Sequence, residues 1–205
     1  MVLAALYPRH LRLLNHRRLR ADLAAKPIMT VEPTAAFAEC FSVQRFANAR
    51  YFAGPLFEES FRAPFPDPPG DPGAQSWAQF VAFYRWNEDR IEPVGFCNYW
   101  PLEELWLGGG LCVRKSFYRR LPGSRFEECR AAGGVAQLMM EHAARELADC
   151  EALFAYCGDA RSLRVCTRVG YEATPRRHVI AKWFRKIADE RKTRLIERVS
   201  ALGPF

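Results

Sequence analysis

Two adjacent glycines, Gly133 and Gly134, stand directly ahead of a run in which Val135, Met139, Ala143 and Leu147 recur every four positions. That spacing predicts an amphipathic helix over 135–148, with Glu141 and Arg145 one turn apart on a polar face. A helix start has N–H groups without intrahelical partners and positive partial charge, so it is a natural anion site. Bare backbone lets a bulky anion approach, and Arg130 adds a guanidinium suited to bidentate phosphate contact. The same pair would serve a loop that only needs positive φ before the helix, and both readings stay open. A second cluster follows in GDARSLRVCTRVGYEAT (158–174). Asp159 can cap a helix there, Ser162 falls three residues later, and Gly170 stands where a left-handed residue should close it, with Tyr171 next.

The elements that must position these residues alternate in period. IMTVE (28–32) suggests a strand and TAAFAECFSVQRFANARYF (34–52) a helix, with Phe37, Cys40, Phe41, Val43 and Phe46 as its apolar side. PFPDPPGDPG (64–73) is a loop, because proline at that density removes backbone donors. SWAQFVAFYRW (76–86) and IEPVGFCNYW (91–100) predict an antiparallel hairpin, and ELWLGGGLCV (104–113) a third strand. ALFAYC (152–157) has the continuous apolar look of a strand buried on both faces. Residues 104–157 are then strand, crossover helix, strand, and the two strands should be parallel. An extended connection (114–133) joins the first of them to the helix. RKIADERKTRLIERVSALGPF (185–205) reads as an amphipathic helix that packs on the body or makes a homodimer contact.

Composition limits the partners. At 205 residues and 49% hydrophobic, the chain suits one α/β (α+β) domain spanning 29–184, and no apolar run is long enough for a membrane span. Seven cysteines form no CxxC pair, and the histidines at 10, 16, 142 and 178 share no ligand spacing, so reduced thiols, a cytoplasmic location and no metal are expected. The net charge of +7 is concentrated in residues 1–28, where Arg9, Arg12, Arg17, Arg18, Arg20 and Lys26 face only Asp22. The body is nearly balanced, which speaks against a nucleic-acid surface there. The basic segment reads as an arm, a targeting peptide, a membrane-surface helix, or leader ahead of a domain beginning at Met29.

These motifs together resemble the GCN5-related N-acetyltransferases over roughly residues 29–184. The family's late helix follows N-x-x-S/A-x-x-x-Y-x-x-x-G-F/Y, and Asp159, Ser162, Cys166, Gly170 and Tyr171 keep those intervals. Aspartate replaces the asparagine and cysteine the tyrosine. The family's crossover helix opens with Q/R-x-x-G-x-G/A; Gly134, Val135 and Ala136 match its end, while Ala131 replaces the Q/R and Arg130 stands one position early.

The resemblance implies a mixed central sheet, antiparallel in its first strands, then a βαβ unit with splayed parallel strands, flanked by helices. It implies acyl transfer from acetyl-coenzyme A as co-substrate to an amine, on a small molecule or a peptide, by direct attack. The alternative is a non-catalytic acyl-coenzyme A-binding or scaffold protein on the same fold. Arg130, Gly133, Gly134, Val135, Ala136, Asp159 and Ser162 would hold the coenzyme, with backbone N–H groups near Leu111, Cys112 and Val113 at the strand break. Gly108, Gly109 and Gly110 would permit the bulge such a break needs. Cys166 would protonate the departing thiolate or simply pack against Tyr171. Glu103 and Glu104 are the candidate bases, or solvated turn residues.

Overall fold

The computed structural model describes residues 35–65 and 77–205, which leaves the basic segment, the strand expected at 28–32 and most of the proline-rich loop outside the described residues. A seven-stranded sheet runs in the order β1-β2-β3-β4-β5-β7-β6. Its strands are β1 (Phe41–Phe46), β2 (Ala78–Asn87), β3 (Arg90–Leu102), β4 (Leu105–Val113), β5 (Ala152–Tyr156), β6 (Glu172–Ala173) and β7 (Val179–Trp183). All neighbours are antiparallel except β4 and β5, which are parallel as the βαβ reading expects.

Among the described residues seven helices accompany them: α1 (Ala35–Ala38), α2 (Arg50–Phe61), α3 (Lys115–Arg120), α4 (Gly123–Ala131), α5 (Val135–Glu146), α6 (Ala160–Arg168) and α7 (Asp189–Ala201). One of the sequence expectations is corrected. The helix expected over 34–52 is a short turn of helix, then strand β1, then the start of α2. Phe41, Ser42, Val43 and Gln44 alternate partly buried and exposed, the period of a strand, and the pairing with β2 takes precedence over the four-residue spacing of Phe37 and Phe41. Most of the long connection at 114–133 folds into α3 and α4.

Alternation along the strands sends side chains to two cores. Phe80, Ala82 and Tyr84 of β2, Cys97 and Tyr99 of β3 and Leu153 of β5 meet the apolar stripe of α5, Val135, Met139, Ala143 and Leu147. On the other face α2 covers Val81, Phe83, Phe96 and Cys112. Beside it Leu195 and Val199 of α7 cover Leu105, Leu107, Phe154 and Val179. A fully buried aliphatic or aromatic side chain contributes about 1.5–3 kcal/mol through burial, so these layers fix where the strands diverge.

Helix α3 is held to the β2–β3 hairpin at Glu92, which accepts from Arg120 at 2.8 Å, Arg90 at 2.7 Å and the Trp86 indole at 3.0 Å. The Arg120 hydrogen bond is the main reason the Glu92 carboxyl lies at about 2 instead of 4.5. A lowered carboxyl pKa stabilises the fold above the unfolded value and is lost as pH falls through the folded one. Glu92→Gln should therefore lower the melting temperature by about 2–4 °C at pH 7, with the difference from wild type vanishing between pH 4.5 and 2. Melting curves across that range check it; a difference that stays constant with pH contradicts it.

Candidate functional site

Pairing between β4 and β5 runs from Leu105 and Ala152 to Gly108 and Ala155, and stops. β4 continues along β3 to Val113, so among the described residues its outer edge beyond Gly108 has no strand partner. The divergence begins at a bulge. Cys97 faces Leu111 while Tyr99 faces Gly108, which leaves Gly109 and Gly110 opposite Asn98 alone. One extra residue turns the following side chains to the other face. Leu105 and Leu107 accordingly face α7, whereas Leu111 and Val113 face α5.

The glycines at the bulge are required by contact. A Cβ on Gly109 would press into the Trp100 ring and within 2.8 Å of the Asn98 amide nitrogen, and one on Gly110 would lie 3.0 Å from the Phe57 ring. The result is a cleft of about 450 Å³ between the splayed strands. Gly108 to Leu111 form one wall and Ala155 to Asp159 the other.

The floor on the α5 side holds Cys97, Tyr99, Cys166 and Tyr171. Helix α6 brings the last two together. Asp159 caps its start, its carboxylate accepting from the Arg161 and Ser162 N–H groups at 2.9 and 3.0 Å and from the Ser162 hydroxyl at 2.6 Å. Burial pulls the Asp159 carboxyl up, but these hydrogen bonds outweigh it and hold it below the ordinary carboxylate range. The helix closes on Gly170 at φ 95°, with Gly170 N–H donating to Thr167 O and Tyr171 N–H to Cys166 O. This left-handed closure folds the chain back and places the Tyr171 ring beside Cys166. The Cys166 thiol is pushed well above its ordinary range, first by hydrogen bonding with Cys157 and then by burial. Burial, then Cys166, does the same to the Tyr171 phenol. Tyr171 is 3% exposed, and among the described residues its hydroxyl makes no well-aligned hydrogen bond, its polar neighbour being the Tyr99 phenol. Both groups are fully protonated at neutral pH.

The opposite mouth, between α2 and α7, is bordered by Phe61, Asn98, Tyr156 and Pro204. Asn98 is 3% exposed and its side-chain oxygen has no hydrogen-bond partner among the described residues. Tyr156 packs its ring against those of His178 and Phe205, and Phe205 also meets Trp100.

Leu111, Asp159, Ser162 and Cys166 thus line one cleft, while Cys112 and Val113 pack into the cores on either face. Glu103 and Glu104 do not line it. They sit at the β3–β4 turn, where Glu103 takes a left-handed φ of 52°, and pair with α7: Glu103 with Arg198 at 2.6 Å, Glu104 with Arg191 at 3.0 Å. Gly133, Gly134, Val135, Ala136 and Arg130 also lie away from the cleft lining. Both glycines do have positive φ, 86° and 85°. Their N–H groups are already bonded, to Arg130 O and Cys129 O, and the Val135 N–H donates to the Tyr118 hydroxyl at 3.2 Å. Arg130 pairs with Glu127 at the surface. The α5 start thus offers a diphosphate none of the N–H groups of Gly133, Gly134 and Val135, while the cleft runs along the β4 edge that β5 leaves. Sequence reasoning missed two residues, the Tyr171 hydroxyl and Asn98; the only signal for the first was its place after Gly170.

Among the described residues no group of three His, Cys, Asp or Glu could hold a metal ion, and no helix is long and apolar enough to cross a membrane. No family model and no curated protein matches the sequence. Solved structures do. The ribosomal-protein-S18-alanine N-acetyltransferase from Escherichia coli is similar at 11% identity, over 73% of this chain and 97% of that one, with a TM-score of 0.46. An acetyltransferase of the GNAT family from Staphylococcus aureus Mu50 is similar at 9% identity, over 71% and 99%, with a TM-score of 0.38. These superpositions are loose; the order of elements and the parallel strands that part beyond Gly108 are the arrangement that the sequence resemblance implies. In that architecture the chain has the fold of the GCN5-related N-acetyltransferases.

Proposed function

We propose that the chain is an N-acyltransferase that moves an acyl group, acetyl by default, from a thioester on a pantetheine arm, as in acetyl-coenzyme A, to an amine by direct attack. The observation that carries this reading is the cleft itself, between parallel strands that part at a bulge, and floored by a buried, protonated phenol. The β4 edge beyond Gly108 lacks a strand partner, and an extended arm can be bound there as an added strand would be. Backbone N–H groups of Gly110 and Leu111 on that edge would face the thioester oxygen.

The amine enters from the α2–α7 mouth. The Asn98 side-chain oxygen accepts an N–H from it and aims its lone pair at the carbonyl carbon, the orienting effect that intramolecular reactions exploit. On the other side the Tyr171 hydroxyl donates its proton to the departing thiolate, while the attacking amine gives up one proton to water at the α2–α7 mouth and the phenolate is reprotonated from solvent once the thiol has left. Burial that raises the phenol also raises the basicity of a thiolate in the same place, so the transfer stays balanced. Cys166, whose thiol is engaged with Cys157, shapes the floor beside it.

Two measurements test the reading. Calorimetric titration should detect donor binding, and thiol release should then depend on added amine. Binding without amine-dependent release supports the scaffold alternative instead. Asn98→Ala should raise KM for the amine about tenfold and leave donor affinity unchanged, the signature of lost acceptor binding. An unchanged KM removes Asn98 from the acceptor site.

A further inference from the structure

The α3–α4 insertion closes the place where a diphosphate would be held. Phe117, fully buried, anchors α3 in the core, and the Tyr118 ring beside it packs edge-on against Phe126 of α4. This holds the Tyr118 hydroxyl on the Val135 N–H, 3.2 Å from where a Gly134 side chain would begin. Gly133 and Gly134 spend their N–H groups on the end of α4. From within, Gln137 adds a wholly buried side-chain oxygen that has no partner and lies against Gly133. At this helix start the N–H groups of Gly133, Gly134 and Val135 are already engaged and the Gln137 oxygen lies against Gly133, which leaves fewer open donors than anion binding needs.

We propose, resting on the acyl-transfer reading above, that this protein recognises its donor through the acylated pantetheine arm and not through a diphosphate at the α5 start. The arm is common to coenzyme A, to free acyl-pantetheine and to the arm borne on a carrier protein. Recognition lies in the cleft from Gly108 to Leu111 and Ala155 to Ser162, with Tyr118 excluding the nucleotide's diphosphate from the helix.

The test titrates the full chain with acetyl-coenzyme A, with S-acetyl-pantetheine and with an acetylated carrier protein. The two small donors should bind within about threefold of each other. In Tyr118→Phe, which keeps the ring packing and frees the Val135 N–H, acetyl-coenzyme A should tighten about tenfold and S-acetyl-pantetheine should not change. The carrier-borne arm distinguishes the sources: tighter binding than either small donor assigns a carrier, weaker binding a free thioester. Wild-type affinity for acetyl-coenzyme A about 30-fold or more above that for S-acetyl-pantetheine overturns the proposal while leaving acyl transfer standing. An unaltered ratio in Tyr118→Phe overturns it as well. No binding of any of the three sinks the acyl-transfer reading and this one together.

Discussion

Tyr171→Phe should lower kcat about 100-fold while donor affinity and melting temperature stay close to those of wild type. The size follows from general acid catalysis, where a positioned proton donor contributes about 10²–10⁴ in rate. The selectivity follows from the structure. The hydroxyl is buried and makes no well-aligned hydrogen bond among the described residues, so removing it should cost the fold little. Donors whose thiol is more acidic need less help in leaving, and an acyl thiophenol should recover most of the lost rate in the variant. Cys166→Ala should change turnover less than about threefold. The acid role passes to Cys166 if the two variants show the reverse order, and a Tyr171→Phe protein with full kcat removes the phenol from the chemistry.

Gly109→Ala should act on the fold and the cleft at once. A methyl group here meets the Trp100 ring and the Asn98 amide, and forcing atoms into a packed position costs about 1–3 kcal/mol. For a domain of this size the melting temperature should fall by about 5 °C. Relief requires the bulge to shift, which brings β4 back toward β5, so donor affinity should drop tenfold or more. Gly123→Ala is the control. Nothing lies within 4 Å of a Cβ there, at the start of α4, and that substitution should leave both quantities unchanged or slightly improve stability. Equal behaviour of the two variants would show that the bulge is not what opens the cleft.

Much of the scaffold was legible because its periods are clean. The hairpin of β2 and β3, strand β4 with its glycines, the four-residue repeat of α5 and the apolar run of β5 each follow one spacing. Strand β1 was not, since Phe37, Cys40 and Phe41 mimic a helical stripe across a boundary that only pairing with β2 reveals. Helices α3 and α4 were hidden for a different reason. Each contributes a single fully buried residue, Phe117 and Cys129, so neither carries a repeat to detect. In the site, Asp159, Gly170 and the glycine run declared themselves through backbone demands that few residues satisfy. The Gly133–Gly134 pair announced positive φ correctly, but what occupies the N–H of Val135 comes from Tyr118, a tertiary contact. Glu103 and Glu104 were plausible bases by adjacency, and the turn carries them to Arg198 and Arg191 instead. Tyr171 enters the cleft only because the chain reverses after α6, a direction the order of residues does not state.

Amine-dependent release of free thiol from acetyl-coenzyme A is the most direct measurement of acyl transfer in this cleft, made with wild type and Tyr171→Phe side by side against small amines, a peptide N-terminus and a lysine side chain. The expected result is release above the background hydrolysis rate with at least one class of amine, equal in amount to acylated amine by mass, and lost about 100-fold in the variant. Donor that binds the wild-type protein but yields no thiol with any amine contradicts catalysis.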